Sequence, residues 1–265
     1  MECDRRSAIE LLPFILSDGG IYRGKELYFT TTDTALIERF RQAAAKAFNY
    51  KGYVVKRSNH SYVVKIKGEG YVRRIAEVAP GILCKPRCGV TLPSDLYEDL
   101  DLARWFIKVL ASCDGGVSVS LGRKGKYKFL VRKVFITAKS VDIRTQVINI
   151  LRELKFNPHD DKEKHVYLSA KNDIICYAKE IRFLDGVKIT RNSKRFHGLE
   201  KNHLLDLIVQ SYDDPRVLTL LFQSPSSLLH QADLARAQRG LDTPVVPAVN
   251  DAGQLSAGLR ARPVA

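Results

Sequence analysis

Two aspartates in this sequence share an unusual local setting. Asp18 and Asp114 each end an apolar run, and each stands directly before a pair of glycines. The apolar run predicts a buried helix, and the glycines indicate that the helix ends there in a left-handed turn. A carboxylate at that point meets the negative end of the helix dipole, so a basic residue would suit it better. An aspartate occupies this unfavourable position in both places, so we predict two converging carboxylates that are neutralised by a divalent cation. Ligands that are all oxygen atoms indicate Mg²⁺.

The surroundings of the two aspartates also repeat, in the same order and at nearly constant spacing. The recurring features are Phe29–Thr31 with Phe135–Thr137, and Glu77 before Lys85 with Glu180 before Lys188. Small residues, Ser17 and Cys113, stand just before the aspartates and permit close helix packing there. An internal repeat of this kind predicts two similar structural units.

Each repeat is predicted to have the element order αββαββα. A capping box at Ser7 predicts the first helix at 8–17, and acidic residues before Leu102 predict its counterpart at 102–112. Amphipathic periodicity and strand alternation predict the other elements. The predicted helices are 33–48, 70–78, 140–154, 171–181 and 198–213, and the predicted strands are 26–32, 53–57, 62–67 and 128–137, with a weaker pair in 156–169. A longer hairpin loop at 122–127 is expected to account for the extra length of the second repeat.

The predicted organisation is an α+β protein of two pseudo-symmetric halves, 1–95 and 96–213, followed by a tail, 214–265. The tail is rich in Ala, Pro and Gly and is expected to be disordered. The chain has 43 Lys and Arg against 29 Asp and Glu, and this net charge of +14 favours a polyanionic partner such as nucleic acid.

Several classes of protein are excluded by the sequence. No apolar stretch approaches a membrane span, and the N-terminus lacks the apolar region of a signal peptide, so we expect a cytoplasmic protein with no membrane partner. No phosphate-binding glycine loop is present. The five cysteines are too few and scattered for a disulfide framework, and Cys84 with Cys88 makes only half of a zinc site.

The motif helices resemble those of the LAGLIDADG homing endonucleases. The resemblance rests on the apolar helices that lead into Ser17-Asp18-Gly19 and Cys113-Asp114-Gly115, within two αββαββα repeats, and it covers about residues 7–210. Phe106-Ile107-Lys108 is similar to the single-chain members encoded by archaeal ribosomal RNA introns. The chain departs from the family at the third motif position, where Pro13 and Val109 replace glycine.

The resemblance implies a fold in which two saddle-shaped antiparallel sheets pack through the two motif helices. It implies a metal-dependent, staggered double-strand cut at a long asymmetric target, such as an intron-insertion site. Asp18 and Asp114 would bind Mg²⁺, for which Mn²⁺ could substitute, and the carbonyls of Ser17 and Cys113 would be further ligands. The family's assisting lysine is matched by Lys85 and Lys188, and Lys139 matches a polar position at the end of a strand.

The resemblance also implies that one face of each sheet lies along double-stranded DNA. Strand alternation, exposed turns and basic clusters predict the contacting residues. The expected contacts are Arg23, Lys25, Tyr28, Thr30, Thr32, Lys56, Lys65 and Lys67 in the first half, and Arg123, Lys124, Lys126, Lys128, Arg132, Lys133, Arg191, Lys194 and Arg195 in the second. For Arg132 and Lys133, alternation does not decide which one faces the DNA. Two unlike sheets in one chain predict a monomer on an asymmetric site.

Two other functions remain open at this stage. The same fold could serve as an RNA-binding maturase that assists intron splicing, in which case both aspartates would be dispensable. It could also be a regulatory DNA-binding protein. The intact acid pair argues against this last alternative, because converging carboxylates without a cation would destabilise the protein.

Overall fold

The computed structural model describes residues 4–57, 60–83, 89–190, 193, 195–214 and 216–217. These residues form an α+β fold with two four-stranded antiparallel sheets. The first half contains α1 (Arg5–Leu16), β1 (Gly19–Tyr22), β2 (Glu26–Thr31), α2 (Thr34–Phe48), β3 (Tyr53–Lys56), β4 (Tyr62–Lys67) and α3 (Glu69–Val78). A short helix, α4 (Asp95–Glu98), leads into the second half. That half contains α5 (Leu100–Asp114), β5 (Gly115–Lys124), β6 (Tyr127–Thr137), α6 (Val141–Glu153), β7 (His159–Asp160), β8 (His165–Leu168), α7 (Lys171–Glu180) and α8 (Lys201–Gln210).

The two halves have the same element order and the same sheet topology, which confirms the predicted fold class. The sheets run β1-β2-β4-β3 and β5-β6-β8-β7. The expected long hairpin loop is wrong, because only Gly125 and Lys126 separate β5 from β6. The extra length of the second half lies in the two strands themselves. The division into halves near residue 95 stays a prediction. The disorder expected for the tail also stays a prediction, since residues 218–265 lie outside the described part of the chain.

The motif helices α1 and α5 pack against each other at the centre of the molecule. Both are apolar on nearly every side and contribute most of their side chains to the core. The Trp105 indole N–H donates to the Glu10 carbonyl at 3.1 Å and joins the two helices. Pro13 is buried in the interior of α1, so this helix lacks one of its main-chain hydrogen bonds.

An aromatic cluster fixes α1 on its own sheet. The rings of Phe14, Phe29 and Phe40 come from α1, β2 and α2, and their centroids lie 5.0 to 5.7 Å apart. All three side chains are fully buried. Each contributes roughly 1.5–3 kcal/mol of transfer free energy, so the cluster holds the end of α1 firmly relative to β2.

The start of α1 differs from the prediction. Asp4 is the N-cap, and its carboxylate accepts a hydrogen bond from the Arg6 amide at 3.2 Å. The Ser7 hydroxyl does not cap the helix but donates to the Asp4 carboxylate at 3.1 Å. The helix therefore begins at Arg5, and the capping box at Ser7 is wrong.

Each half also binds the second helix of the other half through the segment that follows its own closing helix. The Leu92 amide donates to Gln146 Oε1 of α6 at 2.7 Å. In the reciprocal contact, the Lys188 amide donates at 2.8 Å to Asp33 Oδ2, the N-cap residue of α2. These contacts add a second connection between the halves beside the motif helices.

None of the helices in the described residues has the length and hydropathy of a membrane-spanning segment.

Candidate active site and nucleic-acid interface

Helix α5 runs directly into β5, and only Ser17 and Asp18 separate α1 from β1. β1 and β5 begin at Gly19 and Gly115, and neither glycine has the left-handed φ that the sequence predicted. Both are required for close packing instead. A Cβ at Gly19 would lie 2.6 Å from the Phe14 carbonyl oxygen, and a Cβ at Gly115 would lie 2.3 Å from the Phe135 carbonyl oxygen. The backbone therefore passes from helix to strand within two residues at most, and the aspartates lie at the two junctions.

A buried lysine that the sequence analysis missed occupies the end of α5. Lys201 comes from the first turn of α8 and is only 6% exposed. Its ammonium donates to the carbonyls of Ser112 and Gly115 at 2.7 Å each, and lies 3.5 Å from the Ala111 carbonyl. These carbonyls are at the negative end of the α5 dipole, where a cation is stabilising. Burial lowers the pKa of Lys201 to about 8, although nearby acidic groups oppose the shift.

The motif residues of both halves form one electrostatic cluster around this lysine. Burial raises the pKa of the Cys113 thiol to about 12, with a hydrogen bond to Ser17 opposing the shift and the charges of Asp18 and Asp114 adding to it. Burial also raises the pKa of Asp18, while the Lys201 charge lowers it. Ser17, Asp18, Cys113, Asp114 and Lys201 therefore act on one another across the α1–α5 pair.

The donor set of this cluster suits a hard cation. The Cys113 thiol keeps its proton at neutral pH, so sulfur is not a thiolate ligand there. The remaining donors are the two carboxylates and main-chain carbonyls, which are oxygen atoms of the kind that Mg²⁺ prefers. Two of the nearby carbonyls are already occupied by Lys201. Among the described residues there is no group of three or more His, Cys, Asp or Glu that could hold a metal ion.

Of the three lysines expected to assist catalysis, the structure describes two, and both are exposed. Lys188 is exposed, and its main chain bridges to Glu200, next to Lys201. Lys139 is exposed after the end of β6. Lys85 lies outside the described residues, as do both cysteines of the half zinc site. Among the described residues, Lys201 reaches the end of a motif helix. Its spacing to Leu204, Leu205 and Ile208 on the buried face of α8 was the sequence signal for it.

The outer face of the first sheet follows from its strand register. Tyr28 pairs with Lys65, which in turn pairs with Tyr53, so these residues share one face. Lys56 pairs with Tyr62 and lies on the opposite face, so the expectation that it shares a face with Tyr28 is wrong. The remaining contacts predicted for this half lie on the outer face, in the β1–β2 turn or just after β2: Thr30, Lys67, Arg23, Lys25 and Thr32.

Two ion pairs already engage lysines of this surface. Lys65 pairs with the buried carboxylate of Glu26 at 2.9 Å, and Lys25 pairs with Glu69 at 3.3 Å. The pKa of Lys65 is raised chiefly by its hydrogen bond to Glu26. Either lysine would have to share or release its carboxylate in order to contact a phosphate.

Register also separates Arg132 from Lys133 in the second sheet. Lys133 pairs with Ser118 on the outer face, and its ammonium lies 4.1 Å from the centroid of the Tyr167 ring. Arg132 points the other way and donates to Ser211 Oγ at 3.0 Å and to the Ser211 carbonyl at 3.1 Å. Arg132 is therefore held by the end of α8, on the face opposite Lys133, and its contact with DNA stays a prediction.

The other basic residues predicted for the second half fall into three groups. Arg123 and Lys126 are exposed at the β5–β6 turn. Arg195 is exposed in the segment before α8. Lys124 and Lys128 lie in β5 and β6, but their side chains are not among the described parts, and Arg191 and Lys194 lie outside the described residues altogether.

Comparisons with known proteins find similarity only among solved structures. No model of a known protein family matches the chain, and no curated protein matches it. A variant of the homing endonuclease I-DmoI, in complex with its target DNA and with Mn present, is 17% identical, covers 69% of this chain and 100% of its own, and has a TM-score of 0.46. Other I-DmoI structures contain Mg or Ca.

Two further structures cover more of this chain. The meganuclease I-SmaMI bound to DNA is 11% identical, with 92% of this chain and 98% of its own covered at a TM-score of 0.47. Full-length DUF199/WhiA from Thermatoga maritima is 14% identical, with 89% and 69% covered at a TM-score of 0.45.

Proposed function

We propose that this protein is a site-specific, metal-dependent DNA endonuclease. The observation that carries the proposal is the motif cluster itself. Asp18 and Asp114 lie at the C-terminal ends of two packed helices, each of which leads into its own antiparallel sheet. One carboxylate per half, beside one sheet per half, suits the cutting of two strands of one duplex.

In this proposal Asp18 and Asp114 hold Mg²⁺ or Mn²⁺, together with the carbonyls of Ser17 and Cys113. The bound ion supplies activation of water and stabilisation of the leaving oxygen. The chain's own residues set up the charge around the site. Lys201 offsets the negative charge of the carboxylates and of the α5 dipole, and it holds the main chain on either side of Asp114 in place.

The outer faces of the two sheets hold the duplex. Lys67 and Lys133 supply positive charge to the phosphates, and tyrosines such as Tyr28 contribute flat contact area. Because the two faces carry different residues, the proposed target is long and asymmetric, as an intron-insertion site would be. A single chain supplies both halves, so the active form is a monomer.

A second candidate function has one observation in its favour. Lys201 already places a positive charge within the carboxylate cluster. The cluster is thus partly neutralised without a metal, and charge repulsion alone does not require one. A DNA-binding protein that does not cut is consistent with that arrangement, and the assay must separate binding from cleavage.

The test is a cleavage assay on a plasmid library of intron-less ribosomal RNA gene junctions. The full chain is incubated with the library in Mg²⁺ and, in parallel, in Ca²⁺, and linear products are sequenced at their ends. Discrete products with 3′ overhangs in Mg²⁺ only are expected. Tight duplex binding without cutting in any metal would support the regulatory candidate. Binding of intron RNA with neither cutting nor duplex binding would support a maturase.

A further inference from the structure

The first hairpin of the second half projects beyond its sheet, whereas that of the first half does not. The last pair between β6 and β8 is Val134 with Leu168, yet β5 and β6 continue for seven more pairs, as far as Lys124 with Tyr127. In the first half, β2 pairs with β4 along its whole length. We call residues 118–133 the ribbon. At about 3.3 Å per residue, seven pairs extend it by roughly 23 Å.

The base of the ribbon is anchored by Arg132. Its guanidinium donates two hydrogen bonds to Ser211 at the end of α8, and it stacks on the Tyr212 ring at 4.4 Å. Tyr212 in turn lies 5.3 Å from the ammonium of Lys171 on α7. A two-stranded ribbon has little stability of its own, so this anchor fixes its direction relative to the rest of the second half.

The surface of the ribbon combines positive charge with exposed apolar side chains. The sequence from 115 to 141 contains no acidic residue. Arg123 and Lys126 are exposed at the tip, and Leu121, Tyr127 and Phe129 are 63%, 69% and 49% exposed. The Phe129 ring lies across Gly122 of the neighbouring strand, where a Cβ would come within 2.6 Å of it, so the ribbon stays thin.

These features point to duplex DNA as the occupant of this surface. The major groove admits a two-stranded ribbon, its phosphates complement the basic tip, and thymine methyl groups suit apolar side chains. We infer that the ribbon extends the contacted duplex by about seven base pairs, on the second-half side only, since base pairs are spaced by about 3.4 Å. This inference rests on the proposed DNA binding. It adds that the duplex is contacted over a greater length on the second-half side than on the first-half side.

Hydroxyl-radical footprinting of the full chain on a selected site tests the inference. In a shortened variant, Leu121–Leu130 are replaced by Asn-Gly, which leaves the pairs at the base of the ribbon. The variant removes four of the seven pairs, so the footprint should lose about four base pairs at one end and keep its other boundary. As a matched control, Arg23→Gln with Lys25→Gln in the short first hairpin should leave the second-half boundary unchanged.

Point variants provide a second readout that does not depend on refolding a shortened hairpin. Arg123→Gln with Lys126→Gln should reduce the slope of log affinity against log salt by about 1.8, because each lost phosphate contact reduces it by about 0.9. Tyr127→Ser with Phe129→Ser, which lie on the same face of the ribbon as Lys133, should weaken binding at an unchanged slope. Equal footprints for the full and shortened chains would overturn the inference while leaving DNA binding intact. A full chain that gives no footprint at all would overturn the proposed function and the inference together.

Discussion

Replacement of the buried lysine by methionine gives the most direct stability test of the cluster at the motif helices. Lys201→Met keeps the length and apolar stem of the side chain and removes the ammonium that the carbonyls of Ser112 and Gly115 accept. Burial lowers the pKa of Lys201 from 10.5 to about 8. In the unfolded chain the lysine is exposed and regains the higher value.

The size and sign of the effect follow from that difference. Below pH 8 both states hold the proton, and the full cost of burying the charge is present. Between pH 8 and 10.5 the unfolded state binds more protons than the folded state, so the free energy of unfolding rises with pH. At about 1.36 kcal/mol per pKa unit the gain contributed by Lys201 is about 3 kcal/mol over this range.

The assay is urea unfolding of the wild type and of Lys201→Met at intervals between about pH 7 and pH 11. The difference in free energy of unfolding between them should change by about 3 kcal/mol in favour of the wild type as the pH rises. Subtracting the two curves cancels the tyrosines and the other lysines. Lys51→Met, in an exposed loop, controls for the loss of one surface lysine. A difference that stays constant over this range would refute a buried, charged Lys201.

Two further predictions concern the backbone around the motif helices. Gly115→Ala should lower the free energy of unfolding by about 2–4 kcal/mol, because the new Cβ would lie 2.3 Å from a carbonyl oxygen. Gly70→Ala on α3, where the new Cβ has open space, should raise the free energy of unfolding by about 0.5–1 kcal/mol. Thermal unfolding of both variants measures this, and equal effects would contradict the close packing at Gly115. Asp4→Ala should lower the free energy of unfolding by about 1 kcal/mol through the lost N-cap, which is more than Ser7→Ala should lower it. Chemical denaturation measures both variants, and a larger loss for Ser7→Ala would show that Ser7 caps the helix as the sequence predicted.

The sequence predicted the fold well because the signals for it are local. The amphipathic pattern of α2 and the alternation of β4 depend only on neighbouring residues, and both elements lie close to their predicted bounds. The double Asp-Gly-Gly pattern was sufficient to identify the two motif helices. Errors at element boundaries arose where two residues compete for one role, as Asp4 and Ser7 do at the start of α1.

The site could be predicted less completely because it depends on distant contacts. Lys201 follows Asp114 by a whole unit of strands and helices, and only the packing of α8 brings its ammonium to the end of α5. The glycines were assigned to a left-handed turn because local rules favour it, but the approach of a neighbouring strand decided their role. Arg132 and Lys133 are adjacent and chemically alike, and strand register alone assigns one to α8 and the other to the outer face.

The proposed function requires that the two motif aspartates perform the cleavage. The most direct measurement compares Asp18→Asn, Asp114→Asn and the wild type on the same selected plasmid in Mg²⁺, with a footprint recorded for each. Asp101→Asn is the matched control, since Asp101 is an exposed acid at the other end of α5. Each motif variant should lose the linear product and keep its footprint, while the control cuts like the wild type. Cutting at the wild-type rate by either motif variant would show that this aspartate does not hold the catalytic metal.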